Sequence, residues 1–90
     1  MEERRRINFE GRVQGVGFRA TARGVAVSRD VRGWVRNEPD GSVSCEVQGD
    51  RAAIESFLAG LRGAMLGKIE REQATPIPVV VGEAGFVIRA

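Results

Sequence analysis

Ninety residues, 42% of them hydrophobic and 29% charged, suffice for one two-layer domain over residues 1–90 and little more. No stretch approaches the ~20 apolar residues that cross a bilayer, and the opening Met-Glu-Glu-Arg-Arg-Arg leads into no apolar run of a secretory signal. One cysteine, Cys45, excludes an internal disulfide, and the absence of histidine removes the commonest general base, metal ligand and nucleophile partner.

A reducing, cytoplasmic compartment, no membrane partner and a monomer are therefore expected. The acidic residues are scattered singly apart from Glu2-Glu3 and Glu70/Glu72, and neither pair resembles a cation loop, so a metal-independent mechanism is expected. Thirteen arginines against one lysine leave a formal net charge of only +2. That is weak support for a nucleic-acid partner. Arginine is the side chain best shaped to hold phosphate or carboxylate through two parallel hydrogen bonds, but most of these arginines read as a solvated surface.

From Arg6 to Val13 the pattern alternates, with Ile7, Phe9, Gly11 and Val13 on one face, which predicts a half-buried strand. The preceding Arg4-Arg5-Arg6 reads as a solvated tail. Gln14-Gly15-Val16-Gly17-Phe18 is a glycine-broken loop. Helical spacing follows from Phe18 to Arg29, with Phe18, Ala22, Val25 and Ala26 on one stripe. Val31 to Glu38 alternates again, placing Val31, Gly33, Val35 and Asn37 together and Trp34 on the outward side, where it is expected to pack. Glu38-Pro39-Asp40-Gly41 is a tight turn, and Ser42 to Gln48 returns with Val43, Cys45 and Val47 inward. A second helix opens at Gly49-Asp50, with Asp50 as its cap, Ile54, Phe57, Leu58 and Leu61 as its buried stripe and Gly63 as its C-terminal cap. Leu66 to Gln73 reads as a weaker strand, and Pro76 and Pro78 argue against a central strand in that region. Phe86 to Arg89 closes the chain as a short strand.

This order predicts an α+β, ferredoxin-like sandwich, βαββαβ plus a short C-terminal strand, with two helices on one face of a mainly antiparallel sheet. In that topology the first and second strands run the same way with the third between them. The loop after the first strand, the start of the first helix and the end of the second strand then share one sheet edge. Asn37 and the first helical turn should converge there.

Two features meet at that edge. In Val13-Gln14-Gly15-Val16-Gly17-Phe18-Arg19 the glycines let successive backbone N–H groups face one concavity, and a helix start adds unpaired donors and a partial positive charge. Together they suit a phosphate. A guanidinium at a helix N-terminus opposes the dipole, so Arg19 fits best with an anion beside it. Asn37 is open to two readings: an amide that orients a water, or a cap of the turn that follows. The Gly15-x-Gly17-x-x-Ala20 match to a dinucleotide fingerprint, with Glu38 as the acid, fails because ninety residues cannot supply the doubly wound sheet. A P-loop fails because no Gly-Lys-Ser/Thr follows. Phe9, Trp34 and Phe86 are too few, with Phe9 inward, for an RNA-stacking platform.

GRVQGVGFR (Gly11 to Arg19) and GWVRN (Gly33 to Asn37), supported by DGSV (Asp40 to Val43), Gln48-Gly49 and the final FVIR, resemble the acylphosphatase family over about Ile7 to Arg89. The resemblance implies a ferredoxin-like enzyme that hydrolyses the carboxyl–phosphate bond of small acyl phosphates without metal or cofactor. It carries the family's catalytic arginine to Arg19, its catalytic asparagine to Asn37 and its phosphate cradle to the N–H groups of residues 14–19. Inorganic phosphate or sulfate would be a product-like ligand. The chain departs from the family's pattern at Gly63-Ala64, at Glu72 and through residues 76–85, which lie outside both motifs. The alternative is a non-catalytic module that binds an acyl or carbamoyl phosphate, since the same fold carries regulatory domains.

Overall fold

In a computed structural model describing residues 1–90, the chain runs β1 (Glu2–Gly11), α1 (Phe18–Ser28), β2 (Arg32–Asn37), β3 (Val43–Asp50), α2 (Arg51–Ala64), β4 (Ile69–Ile77) and β5 (Phe86–Arg89). The strands form one sheet in the order β4-β1-β3-β2-β5. All neighbours are antiparallel except β2 and β5, which pair in parallel from Gly33–Phe86 to Arg36–Arg89. β1 and β2 flank β3 and run the same way, as the ferredoxin-like topology requires.

Alternation along the strands sorts the two faces. Ile7 and Phe9 of β1, Val35 of β2 and Val43, Cys45 and Val47 of β3 are fully buried beneath the helices. From α1 they meet Phe18, Ala22 and Ala26, and from α2 Ile54, Phe57, Leu58 and Leu61. Phe9 packs on Phe18 at 5.1 Å between ring centroids, and Phe57 on Phe86 at 5.7 Å, so each helix is pinned to the sheet by one aromatic pair. Burial of these side chains supplies most of the driving force, at ~1.5–3 kcal/mol for each large one.

The other face is polar and departs from expectation. β1 starts at Glu2, and Arg4 is buried at 3% exposure instead of lying in a solvated tail. Its Nε donates to Glu46 (2.9 Å), and its terminal nitrogens donate to Gln48 (2.9 Å) and to both oxygens of Glu83 (2.7 and 3.1 Å). Glu83 arrives from residues 78–85, which carry the chain from β4 at one edge to β5 at the other. Gln48 holds the same crossing segment by donating to the Val80 carbonyl (2.9 Å) and accepting from its N–H (2.8 Å). A run of three arginines looks solvated in sequence because the carboxylate that buries the first lies 79 residues away. Trp34 packs as expected, 4% exposed, among the guanidiniums of Arg6, Arg36 and Arg89 at 5.5, 5.1 and 4.7 Å.

Three boundaries also shift. β4 extends through Pro76 to Ile77, which an edge strand tolerates because its outer N–H groups have no ladder partner. Glu72, on the helix side of that edge, forms two hydrogen bonds with Arg62 of α2 (2.7 and 3.0 Å). Gly63 lies inside α2, whose last residue is Ala64 and whose C-cap is Met65, and the left-handed residue is Gly67 (φ 81°). Asp50 precedes α2 but makes no side-chain cap. It is still paired with Glu2 in the sheet, and its carboxylate faces the N-terminal ammonium at 3.4 Å.

Candidate active site

The loop joining β1 to α1, residues 12–17, sits where the first strand meets the first helix. Gly15 and Gly17 take left-handed conformations (φ 75° and 78°), and Gly17 is the helix N-cap, with no side-chain cap and no acidic residue in the first turn. This turns the peptide planes so that the N–H groups of Gln14 through Ala20 find no protein acceptor; the loop's only backbone bonds run from Arg12 to the Lys68 carbonyl and from Thr21 to the Gly17 carbonyl. Donors of this kind at a helix start form an anion cradle.

Val13, Gly15, Gly17, Phe18, Arg19, Ala20, Asn37 and Ile88 line one cavity of about 260 Å³. Arg19 and Asn37, eighteen residues apart in sequence, are thus brought to one site, as the topology predicted. Gln14 and Val16 are not part of the lining. Val16 packs against the core, and the Gln14 amide donates to the carbonyls of Glu38 (2.8 Å) and Ser42 (2.9 Å).

Charge is distributed to leave Arg19 free. Seven of the thirteen arginines (Arg4, Arg5, Arg6, Arg32, Arg36, Arg51 and Arg62) hold carboxylates, and Arg19 is not among them. The Asn37 amide likewise has no hydrogen-bond partner in the protein and is half-buried. The hairpin that carries Asn37 is tightened around it. Gly41 donates to the Glu38 carbonyl (3.1 Å) and Glu38 N–H to the Ser42 carbonyl (2.8 Å). The Arg36 guanidinium, 2.8 Å away, and the Ser44 hydroxyl hold the Glu38 carboxyl below its ordinary range. The Ser42 hydroxyl and N–H do the same for Asp40. Burial pushes the Cys45 thiol up, so it is no nucleophile. No three His, Cys, Asp or Glu side chains come together as metal ligands would.

Sequence reasoning missed Ala20 and Ile88. Ile88 shares the inward parity of Phe86, and that parity was the signal available. Its arrival at the cavity, however, depends on β5 pairing in parallel with β2. The Gln14 tie had no local signal at all.

A family model for acylphosphatase matches residues 5–88. The acylphosphatase of Geobacillus kaustophilus is 42% identical over 83 residues, covering 91% of this chain and 88% of that one. The crystal structure of acylphosphatase from Bacillus subtilis superposes over the whole of both chains with a TM-score of 0.89 at 33% identity. HypF from T. kodakarensis matches 98% of this chain, at 29% identity and a TM-score of 0.85, with only 12% of its own length. With the fold, the cradle and the whole-chain likeness in agreement, the chain belongs to the acylphosphatase family and is a hydrolase of the carboxyl–phosphate bond.

Proposed function

We propose that this cavity hydrolyses small acyl phosphates by direct attack of water, without metal or cofactor, with Arg19 and Asn37 as its catalytic residues. The observation that carries the reading is one cavity lined by Gly15, Gly17, Phe18, Arg19, Ala20 and Asn37, where backbone N–H groups of the loop and first helical turn, the Arg19 guanidinium and the Asn37 amide all lack a protein partner. The cradle and Arg19 hold the phosphoryl oxygens. Asn37 accepts from and donates to a water aligned with the bond that breaks. Oxygen of that water bonds to phosphorus, the acyl oxygen leaves with its electron pair as a carboxylate, and the water's two protons end on the phosphate and its surroundings. Charge spreads over the equatorial oxygens in a loose transition state, where fixed donors contribute most. A carboxylate is stable at neutral pH, so the leaving group requires no general acid.

Residues 1–90 act in this proposal as one unit, a monomer in the cytoplasm whose product-like ligand is inorganic phosphate or sulfate. The free Cys45 supports a reducing compartment, and elution at the 9.8 kDa of the chain would test the monomer. The deciding experiment is hydrolysis of benzoyl phosphate in EDTA. Turnover should fall ~10²–10³-fold in Asn37→Ala with phosphate inhibition retained. Arg19→Ala should lose both, and Arg19→Lys should recover little, because a point charge does not replace a planar fork. Turnover near the original level in Asn37→Ala would refute the water-holding role. The second reading is a non-catalytic module that binds an acyl or carbamoyl phosphate, since the same fold carries regulatory domains. An inactive protein that still binds phosphate would select it.

A further inference from the structure

We infer that Gln14 is a positioning residue that sets the spacing between the phosphate cradle and Asn37; this rests on the acyl-phosphate reading of the site. The two halves of the site belong to different parts of the chain. The cradle is carried by the loop between β1 and α1, and Asn37 by the hairpin between β2 and β3. The loop cannot hold itself, because its N–H groups from Gln14 to Gly17 make no internal bonds. Buried Val13 and the packed Val16 fix its base, but an apolar contact does not set a distance as sharply as a directed bond does.

The Gln14 side chain supplies that bond. Its single NH₂ group uses both hydrogens, one on the carbonyl of Glu38 (2.8 Å) and one on the carbonyl of Ser42 (2.9 Å). Glu38 is the residue that follows Asn37, and Ser42 faces it across the base of the turn, where the Glu38 N–H meets the Ser42 carbonyl (2.8 Å). The amide therefore ties the start of the cradle to the backbone beside the water-holding side chain. Misplacement of a reacting group by about 1 Å can cost ~10²-fold in rate.

The hairpin does not need Gln14 to form. The Glu38 carbonyl keeps the Gly41 N–H at 3.1 Å, and the Ser42 carbonyl keeps the Glu38 N–H. Loss of the amide should thus relax the distance between the halves without unmaking either. On the acyl-phosphate reading the cradle and Arg19 alone hold phosphate, whereas turnover needs Asn37 as well.

The test compares Gln14→Ala and the isosteric, apolar Gln14→Met with the unaltered protein on benzoyl phosphate, alongside competitive inhibition by inorganic phosphate. The expected result is a kcat lowered ~10–100-fold in both variants, with the phosphate inhibition constant within about threefold of the original. Gln14→Asn, one methylene shorter, should not restore kcat. Unchanged kcat in both variants would overturn the inference. Parallel loss of kcat and phosphate affinity would too, since it would mean that Gln14 merely holds the loop's shape. Variants found unfolded by circular dichroism would also overturn it, because the hairpin would then depend on the amide. An unaltered protein with no activity would remove the phosphatase reading itself, which these other outcomes leave standing.

Discussion

Replacing Arg4 by alanine tests whether the polar face of the sheet is held by its buried guanidinium. The side chain is 2% exposed and donates four hydrogen bonds, one to Glu46, one to Gln48 and two to Glu83. Removing one partner of a buried ion pair costs ~3–5 kcal/mol, because the other charge stays desolvated. Here Glu46 and Glu83 retain 16% and 17% exposure, and Glu46 keeps Arg6 at 3.1 Å. Hydration relieves part of the penalty, so the low end, about 3 kcal/mol, is expected. A chain of this length has ~5–13 kcal/mol of stability in total, so the variant should still fold at 25 °C, with a Tm lowered by ~12–24 °C. Urea unfolding followed by the fluorescence of Trp34, the chain's one tryptophan, gives the measurement directly. A double-mutant cycle with Glu83→Gln should return a coupling of ~1–3 kcal/mol. Activity below the melting range should be unchanged, since neither Arg4 nor the crossing segment lines the catalytic cavity. A loss under about 0.5 kcal/mol, the level of an ordinary surface change, would refute the claim that this cluster holds the segment down.

The remaining predictions concern backbone, acid and thiol. Gly33→Ala should abolish folding, because a Cβ there would overlap the Glu46 carbonyl oxygen of β3, whereas Gly17→Ala meets no atom within 4 Å and should cost only the ~1–2 kcal/mol of a left-handed alanine; urea unfolding of both variants checks the contrast. Glu38 and Asp40 should titrate below their ordinary values of 4.5 and 3.8. Both are depressed, so their contribution to the hairpin is complete above those values and is lost as pH falls through the lower, folded ones. A pH titration of the Asn37 amide resonances would follow this loss. Cys45, fully buried with its thiol pushed up, should resist a thiol reagent in the native protein and react fully in urea; rapid native labelling would contradict its place in the core.

Most of the helix-facing half of the molecule is legible in the sequence, because its information is periodic and local. The alternation through Ile7 and Phe9, the i, i+3, i+4 spacing of Ile54, Phe57 and Leu58 and the Pro-Asp-Gly turn each name an element from its own residues. The cradle is legible for the same reason, since glycine at 15 and 17 is a local statement about backbone conformation. The convergence of Asn37 with Arg19 followed from strand order and parity together. Three other features were not legible: Arg4 looked like a tail residue, Asp50 like a cap and Gly63 like a helix stop. Each reading assumed that the nearest residues in the chain would be the nearest in space.

The sequence by itself determined the elements, their order, the topology that order allows and the residues whose chemistry suits a phosphoryl group. Only the tertiary structure decided which charges are buried, where β4 and α2 end, that Ile88 completes the cavity and that Gln14 reaches across to the backbone beside Asn37. The physical reason is one of range. Hydrophobic periodicity and backbone preference act within a few residues, whereas ion pairs and side-chain ties join residues such as Arg4 and Glu83, or Gln14 and Ser42, whose meeting depends on the whole sheet having formed.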